Sequence, residues 1–103
     1  MELVAASKNA SWSSLCRIPK LEEFQPDLIL ISAGFDAHRR DELNHGHVQL
    51  EEPDYEWFTQ SVVRISNKCC PGRVVSVLEG GYRVHGHVVS PFGRAIAGHL
   101  RAL

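Results

Sequence analysis

The stretch Pro26-Asp27-Leu28-Ile29-Leu30-Ile31-Ser32-Ala33-Gly34-Phe35-Asp36 decides how the chain is read. A short unbroken apolar run, entered by a proline and closed by a glycine, reads as a β-strand over 28–33, buried on both faces. Downstream, Pro53 suits a first helical turn, and Glu51, Glu52 and Asp54 suit its positive end. Tyr55, Phe58, Val62 and Ile65 recur at helical spacing as one apolar face, Lys68 lies near the end, and Pro71-Gly72 stops it. A second apolar run, Val74-Val75-Ser76-Val77-Leu78, predicts another buried strand that ends at Glu79-Gly80-Gly81-Tyr82. A last helix starts near Ser90-Pro91, with Phe92, Ala95, Ile96, His99 and Leu100 on one side. The order strand, helix, strand, helix is a βαβα unit with parallel strands and a right-handed crossover.

Outward from this unit the sequence thins. Residues 1–18 show no clear period, so a weakly structured lead-in is expected over 1–19, although the first 25 residues could supply a helix. Residues 37–50 are polar and read as a long loop, and 83–87 as a shorter one. Two parallel strands do not make a stable sheet alone. The 103 residues therefore read as part of a larger domain rather than a whole one.

Composition excludes several classes. With 44% hydrophobic and 22% charged residues, the chain is neither a disordered tail nor a coiled-coil rod nor a collagen-like repeat. Eleven Lys+Arg against twelve Asp+Glu give no basis for binding nucleic acid through bulk charge. No apolar run approaches the ~20 residues of a membrane span, and the first 14 residues lack the apolar stretch of a signal peptide. Cys16, Cys69 and Cys70 are odd in number and have no C-x-x-C spacing, so reduced structural thiols are expected. Nucleus or cytoplasm is the expected location.

In open parallel sheets, ligands bind beyond the carboxyl ends of the strands. Those ends carry Gly34-Phe35-Asp36 and Gly80-Gly81-Tyr82. With neighbouring strands ~4.8 Å apart, Asp36 and Tyr82 can face one reaction centre. An Asp after a strand also serves as a plain loop cap, and Gly-Gly-Tyr as a turn, so the residues leave both readings open. There is no G-x-G-x-x-G or P-loop lysine to hold a phosphate. His38, His45, His47, His85, His87 and His99 include two H-x-H pairs. With Asp36 and Asp41 they could form a small metal site, but solvated loop histidines are the simpler reading. His99 reads as a packed or rim residue.

These motifs resemble the class II-like branch of the histone deacetylase superfamily, which also holds the acetylpolyamine amidohydrolases and acetoin-utilisation proteins. The resemblance runs through residues 26–38, Asp41, Leu43, residues 54–59 and residues 72–82, and on into 95–103. It covers about residues 20–103, as the C-terminal portion of the catalytic domain.

The resemblance implies a parallel-sheet, three-layer, arginase-like α/β fold, here incomplete. It also implies a zinc-dependent hydrolase of acetyl-lysine on histones or other proteins, with a place in chromatin regulation. Asp36 matches one of the family's zinc-binding aspartates, and Tyr82 the tyrosine that donates to the developing oxyanion. Leu43 matches a position at the tunnel mouth, where an aliphatic residue is closer to the lysine deacetylases than to polyamine-selective forms. Gly80 and Gly81 match the glycines that let the tyrosine reach the tunnel.

Departures are equally specific. The family's upstream His-His pair and Asp-x-His ligands have no counterpart in residues 1–33, which contain no histidine. Glu42 stands where many relatives have proline. One carboxylate cannot hold a catalytic zinc, so the chain by itself is expected to be inactive. The alternative is a non-catalytic remnant that binds a protein partner completing its sheet.

Overall fold

The computed structural model describes residues 12–86 and 88–103, with side chains from Ile18 onward. Its elements are α1 (Trp12–Phe24), β1 (Ile29–Gly34), a 3-10 turn at Glu42–Asn44, α2 (Glu52–Cys69), β2 (Val74–Gly80) and α3 (Pro91–Ala102). β1 and β2 form one parallel pair, with Ile29 opposite Val74 and Ile31 opposite Ser76. The βαβα order expected from the sequence is therefore the order found. Residues 1–11, in the expected lead-in, lie outside the described residues. From Trp12 the chain is helical, and α1 crosses the expected boundary at residue 19 with Pro19 inside it.

The helix ends follow from local chemistry. At α2 the Glu51 side chain accepts from the backbone of the first turn, while the Glu51 N–H donates to Asp54 Oδ2 at 2.9 Å. This reciprocal pair satisfies two N–H groups that a helix start leaves unpaired. At α3, Ser90 Oγ accepts from the Gly93 N–H at 3.0 Å, and Pro91 takes the first position, where its missing N–H costs nothing.

One core forms between the sheet and the helices. It joins Ile29, Ile31, Ala33 and Phe35 to Leu50, to Tyr55, Val62 and Cys70, and to Ala95 of α3. Tyr55, Val62 and Ile65 are the buried part of the predicted α2 face, with Phe58 partly buried against the core. α1 lies against α2, where Lys68 Nζ reaches Glu22 Oε1 at 2.5 Å. On α3, Leu100 is exposed, contrary to its expected place on the inner side.

The strands are not buried on both faces. β1 alternates, with Ile29, Ile31 and Ala33 inside and Leu30 59% exposed. Val75 and Val77, in register with Leu30 and Ser32, are also exposed. Both α2 and α3 cover the same face, so the other carries Leu28, Leu30, Val75 and Val77 with nothing described above it. An unbroken apolar strand has side chains for two covered faces; only one cover is present among the described residues.

The segment 37–50 differs from a free polar loop. His38, Asp41 and Leu50 are buried, and a parallel bridge pairs His38 with Leu50. No helix among the described residues is long and apolar enough to cross a membrane.

Candidate active site

The register shifts at the end of the strand pair, so that Gly34 lies opposite Gly80 and the Phe35 N–H donates to the Gly80 carbonyl at 2.8 Å. Both chains then leave the sheet at one rim. The half-buried Asp36 carboxylate lies over these two glycines. A Cβ on Gly34 would stand 3.2 Å from Asp36 Oδ1, and one on Gly80 3.4 Å from its carboxyl carbon and both oxygens. The bare glycine backbones make the room that this carboxylate occupies.

The main chain beneath Asp36 is held from several sides. The Tyr55 hydroxyl donates to the Phe35 carbonyl at 3.1 Å. Asn44 Nδ2 donates to the carbonyls of Asp36 (3.0 Å) and His38 (2.8 Å). The Phe35 ring packs against Tyr55, Phe92 and His99, with centroids 5.0, 6.1 and 5.6 Å away. Burial pushes the Tyr55 phenol up, and the charges of Asp36 and Asp41 add to this, so it remains a donor. By contrast, the Asp36 carboxylate has no hydrogen-bond or ion-pair partner among the described residues. A carboxylate fixed through its backbone, with its oxygens unclaimed, suits a hard or borderline cation.

Tyr82 is reached through Gly81, whose φ is +127°; a Cβ there would collide with the Phe92 ring. Only glycine takes this conformation and this space without strain. Tyr82 is 56% exposed, while its N–H donates to Asp41 Oδ2 at 2.6 Å. Leu43, exposed on the 3-10 turn, donates its N–H to Asp41 Oδ1 at 3.0 Å. All five expected site residues thus meet at one rim: Asp36 against Gly80, and Leu43 and Tyr82 through the shared Asp41.

Among the described residues no three His, Cys, Asp or Glu side chains converge. His45, His47 and His85 are exposed, and His87 lies outside the described residues. His38 is not the solvated loop residue expected. It is 2% exposed and lies parallel to the Tyr55 ring, at 6.5 Å. Its Nδ1 accepts from the Arg40 N–H at 3.1 Å, and its buried Nε2, 3.6 Å from Glu52 Oε2, has no hydrogen-bond partner among the described residues.

His99 is packed, as expected, and is also bonded on both nitrogens. Thr59 Oγ1 and Ser76 Oγ each lie 2.8 Å away. Thr59 gives its own proton to the Tyr55 carbonyl at 2.7 Å, so His99 donates from Nδ1 and accepts from Ser76 at Nε2. Cys69 and Cys70 are free thiols; burial, then Cys70, pushes the Cys69 thiol up.

The comparison with known proteins agrees with this geometry. The family model described as "Histone deacetylase domain" matches residues 6–95. The chain belongs to the histone deacetylase family. It is 42% identical over 86 residues to Type-2 histone deacetylase 2 of Dictyostelium discoideum, covering 84% of this chain and 5% of that protein. It is 35% identical over 86 residues to the chloroplastic Histone deacetylase 14 of Arabidopsis thaliana, covering 84% of this chain and 19% of that protein. Among solved structures, the HDA15 HD domain superposes with a TM-score of 0.63 at 27% identity, over 82% of this chain and 22% of that one. The chain therefore corresponds to about a fifth of a deacetylase domain structure, and its two-stranded sheet is an incomplete piece of that fold.

Asp41, Asn44 and Tyr55 are the site residues that sequence reading missed in these roles. Asp41 and Asn44 sit in a polar stretch where spacing says nothing about partners. The one local signal was Asn44 before Gly46, a pattern of side-chain-closed turns; here the Gly46 N–H donates to Asn44 Oδ1 at 2.8 Å.

Proposed function

We propose that this chain is the C-terminal part of a zinc-dependent lysine deacetylase domain, in which Asp36 is one metal ligand and Tyr82 the hydroxyl donor to the reacting amide. The observation that carries the reading is the rim itself. An unclaimed carboxylate lies over two glycines, and from the second of them the chain runs through a third to an exposed tyrosine, on a chain of the histone deacetylase family.

Zinc, when bound, polarises the amide carbonyl and lowers the pKa of a bound water. Asp36 would supply one of the three protein ligands that a catalytic zinc requires. The remaining two, and a general base, would come from residues matching the upstream part of the relatives' domains. The Tyr82 hydroxyl donates a hydrogen bond where negative charge develops on the carbonyl oxygen, and one such donor contributes roughly 3–4 kcal/mol to lowering the barrier. Leu43 lines the rim with an aliphatic surface that suits the methylene stem of an acetyl-lysine. The acetyl-lysine belongs to a histone or to another protein of the nucleus or cytoplasm.

The apolar face formed by Leu28, Leu30, Val75 and Val77 is where the rest of such a domain would pack. The same face supports a second reading, a non-catalytic module that binds a protein through this surface. The test is direct. After dialysis the purified chain is expected to retain less than one zinc per chain and to release no acetate from an acetyl-lysine peptide. Full zinc occupancy with turnover abolished by Tyr82→Phe would overturn the assignment as a partial domain. Turnover insensitive to that substitution would overturn the role of Tyr82.

A further inference from the structure

We infer that Asp41 is the positioning residue that couples the tyrosine-bearing turn to the loop after β1, so that Tyr82 and Leu43 are held by one carboxylate. Asp41 is 4% exposed. Oδ2 accepts from the N–H groups of Tyr82 (2.6 Å) and Arg83 (3.1 Å), and Oδ1 from that of Leu43 (3.0 Å). Its partners at 82 and 83 lie more than forty residues away in sequence. Three N–H donors on one buried carboxylate make charge-assisted hydrogen bonds, stronger than bonds between neutral groups.

The geometry has a further consequence. Gly81 at φ +127° gives the turn no rigidity of its own, and the next two residues make no ladder bonds with the sheet. Their N–H groups are both held by Asp41, while the Arg83 carbonyl accepts from the Phe92 N–H at 3.5 Å. Glu42 adds a side-chain grip: Arg83 Nη1 reaches Glu42 Oε1 at 2.5 Å. Residues 41 and 42 thus hold residues 82 and 83, one through the backbone and the other through an exposed ion pair. The first hold ends on a buried carboxylate; the second is a solvent-exposed ion pair and therefore weak. In this arrangement Leu43 and Tyr82 cannot move independently.

The inference gains catalytic meaning from the deacetylase reading, but its test does not depend on it. Amide hydrogen exchange and proton shifts are measured by NMR on the 103-residue chain and on Asp41→Asn, Asp41→Ala and Glu42→Gln. Asparagine is isosteric but has one acceptor oxygen, so it can serve either Leu43 or the Tyr82–Arg83 pair. Asp41→Asn is expected to speed exchange at least tenfold on one side only, and Asp41→Ala on both. Glu42→Gln should leave the three amides within about twofold. The Phe35 and Cys70 amides, bonded to Gly80 and Ser66, serve as references and should hold. Unchanged Tyr82 and Arg83 amides in both Asp41 variants would overturn the inference. So would uniform loss of protection that includes Phe35 and Cys70, which would make Asp41 a general fold support. Tyr82→Phe keeps the backbone N–H, so the amide result stands or falls separately from any role of the hydroxyl.

Discussion

Gly81 carries the most conspicuous single-residue constraint in the chain. Its φ of +127° and the Phe92 ring beside it exclude any side chain. Gly81→Ala is expected to destabilise the chain by about 1–3 kcal/mol, through backbone strain and overpacking, read as a lowered denaturation midpoint. Gly34 is tighter against Asp36 than Gly80, 3.2 Å against 3.4 Å for an added Cβ. Gly34→Ala should therefore disturb the Asp36 carboxylate more than Gly80→Ala, visible in the carboxyl carbon shift of Asp36. At this scale the placement of the motif residues was legible in the sequence. Asp36, Gly80, Gly81 and Tyr82 stand at strand ends where topology alone predicts a site. Asp41 and His38 were not legible, because their roles depend on partners that spacing in a polar loop does not reveal.

Among the elements, α3 is tied to both β2 and α2 by one histidine. Burial lowers the His99 pKa from its ordinary 6.5. The folded chain therefore binds the His99 proton less readily than the unfolded one. Its contribution to stability is complete above about pH 6.5 and declines as pH falls below that value, until the depressed folded pKa is passed. His99→Gln should flatten the pH dependence of the denaturation midpoint between pH 7 and 5. Glu52 acts at lower pH. Burial pushes its carboxyl up, but hydrogen bonds from Arg94 and the backbone, with the charges of His38 and Arg94, bring it to about 2. Its contribution is present above pH 4.5 and fades as pH falls toward 2. The two windows separate the elements, since Glu52 links α2 to α3 through Arg94 at 2.6 Å while His99 links α3 to β2.

The two faces of the sheet offer a second contrast between elements. Ile31→Ala should cost about 2–4 kcal/mol, because Ile31 lies in the core. Val77→Ser should change stability by less than about 0.5 kcal/mol in the chain alone, because Val77 already faces outward. Urea denaturation of the two variants checks both. The order and type of these elements were readable from apolar runs and helical spacing. The mistake about burial has a physical source: Leu28-Ile29-Leu30-Ile31 encodes two covered faces, and the described residues supply one cover.

For the whole molecule, the architecture and the comparisons lead to one account. The chain belongs to the histone deacetylase family, matches about a fifth of a solved deacetylase domain, and among the described residues has a sheet covered on one face only. An apolar face of this kind favours association. The chain should therefore self-associate with rising concentration, and a Leu30→Ser/Val77→Ser double variant should do so less, as sedimentation velocity would show. The central claim concerns Asp36 and Tyr82, and its most direct measurement is acetate release by a hybrid domain. Residues 20–103 of this chain replace the matching segment of the 35% identical Arabidopsis thaliana Histone deacetylase 14. The account predicts zinc-dependent release of acetate from an acetyl-lysine peptide. It predicts a 10²–10³-fold lower kcat in Tyr82→Phe with zinc content unchanged, and loss of zinc in Asp36→Ala. Undiminished turnover in Tyr82→Phe, or full zinc in Asp36→Ala, would contradict it.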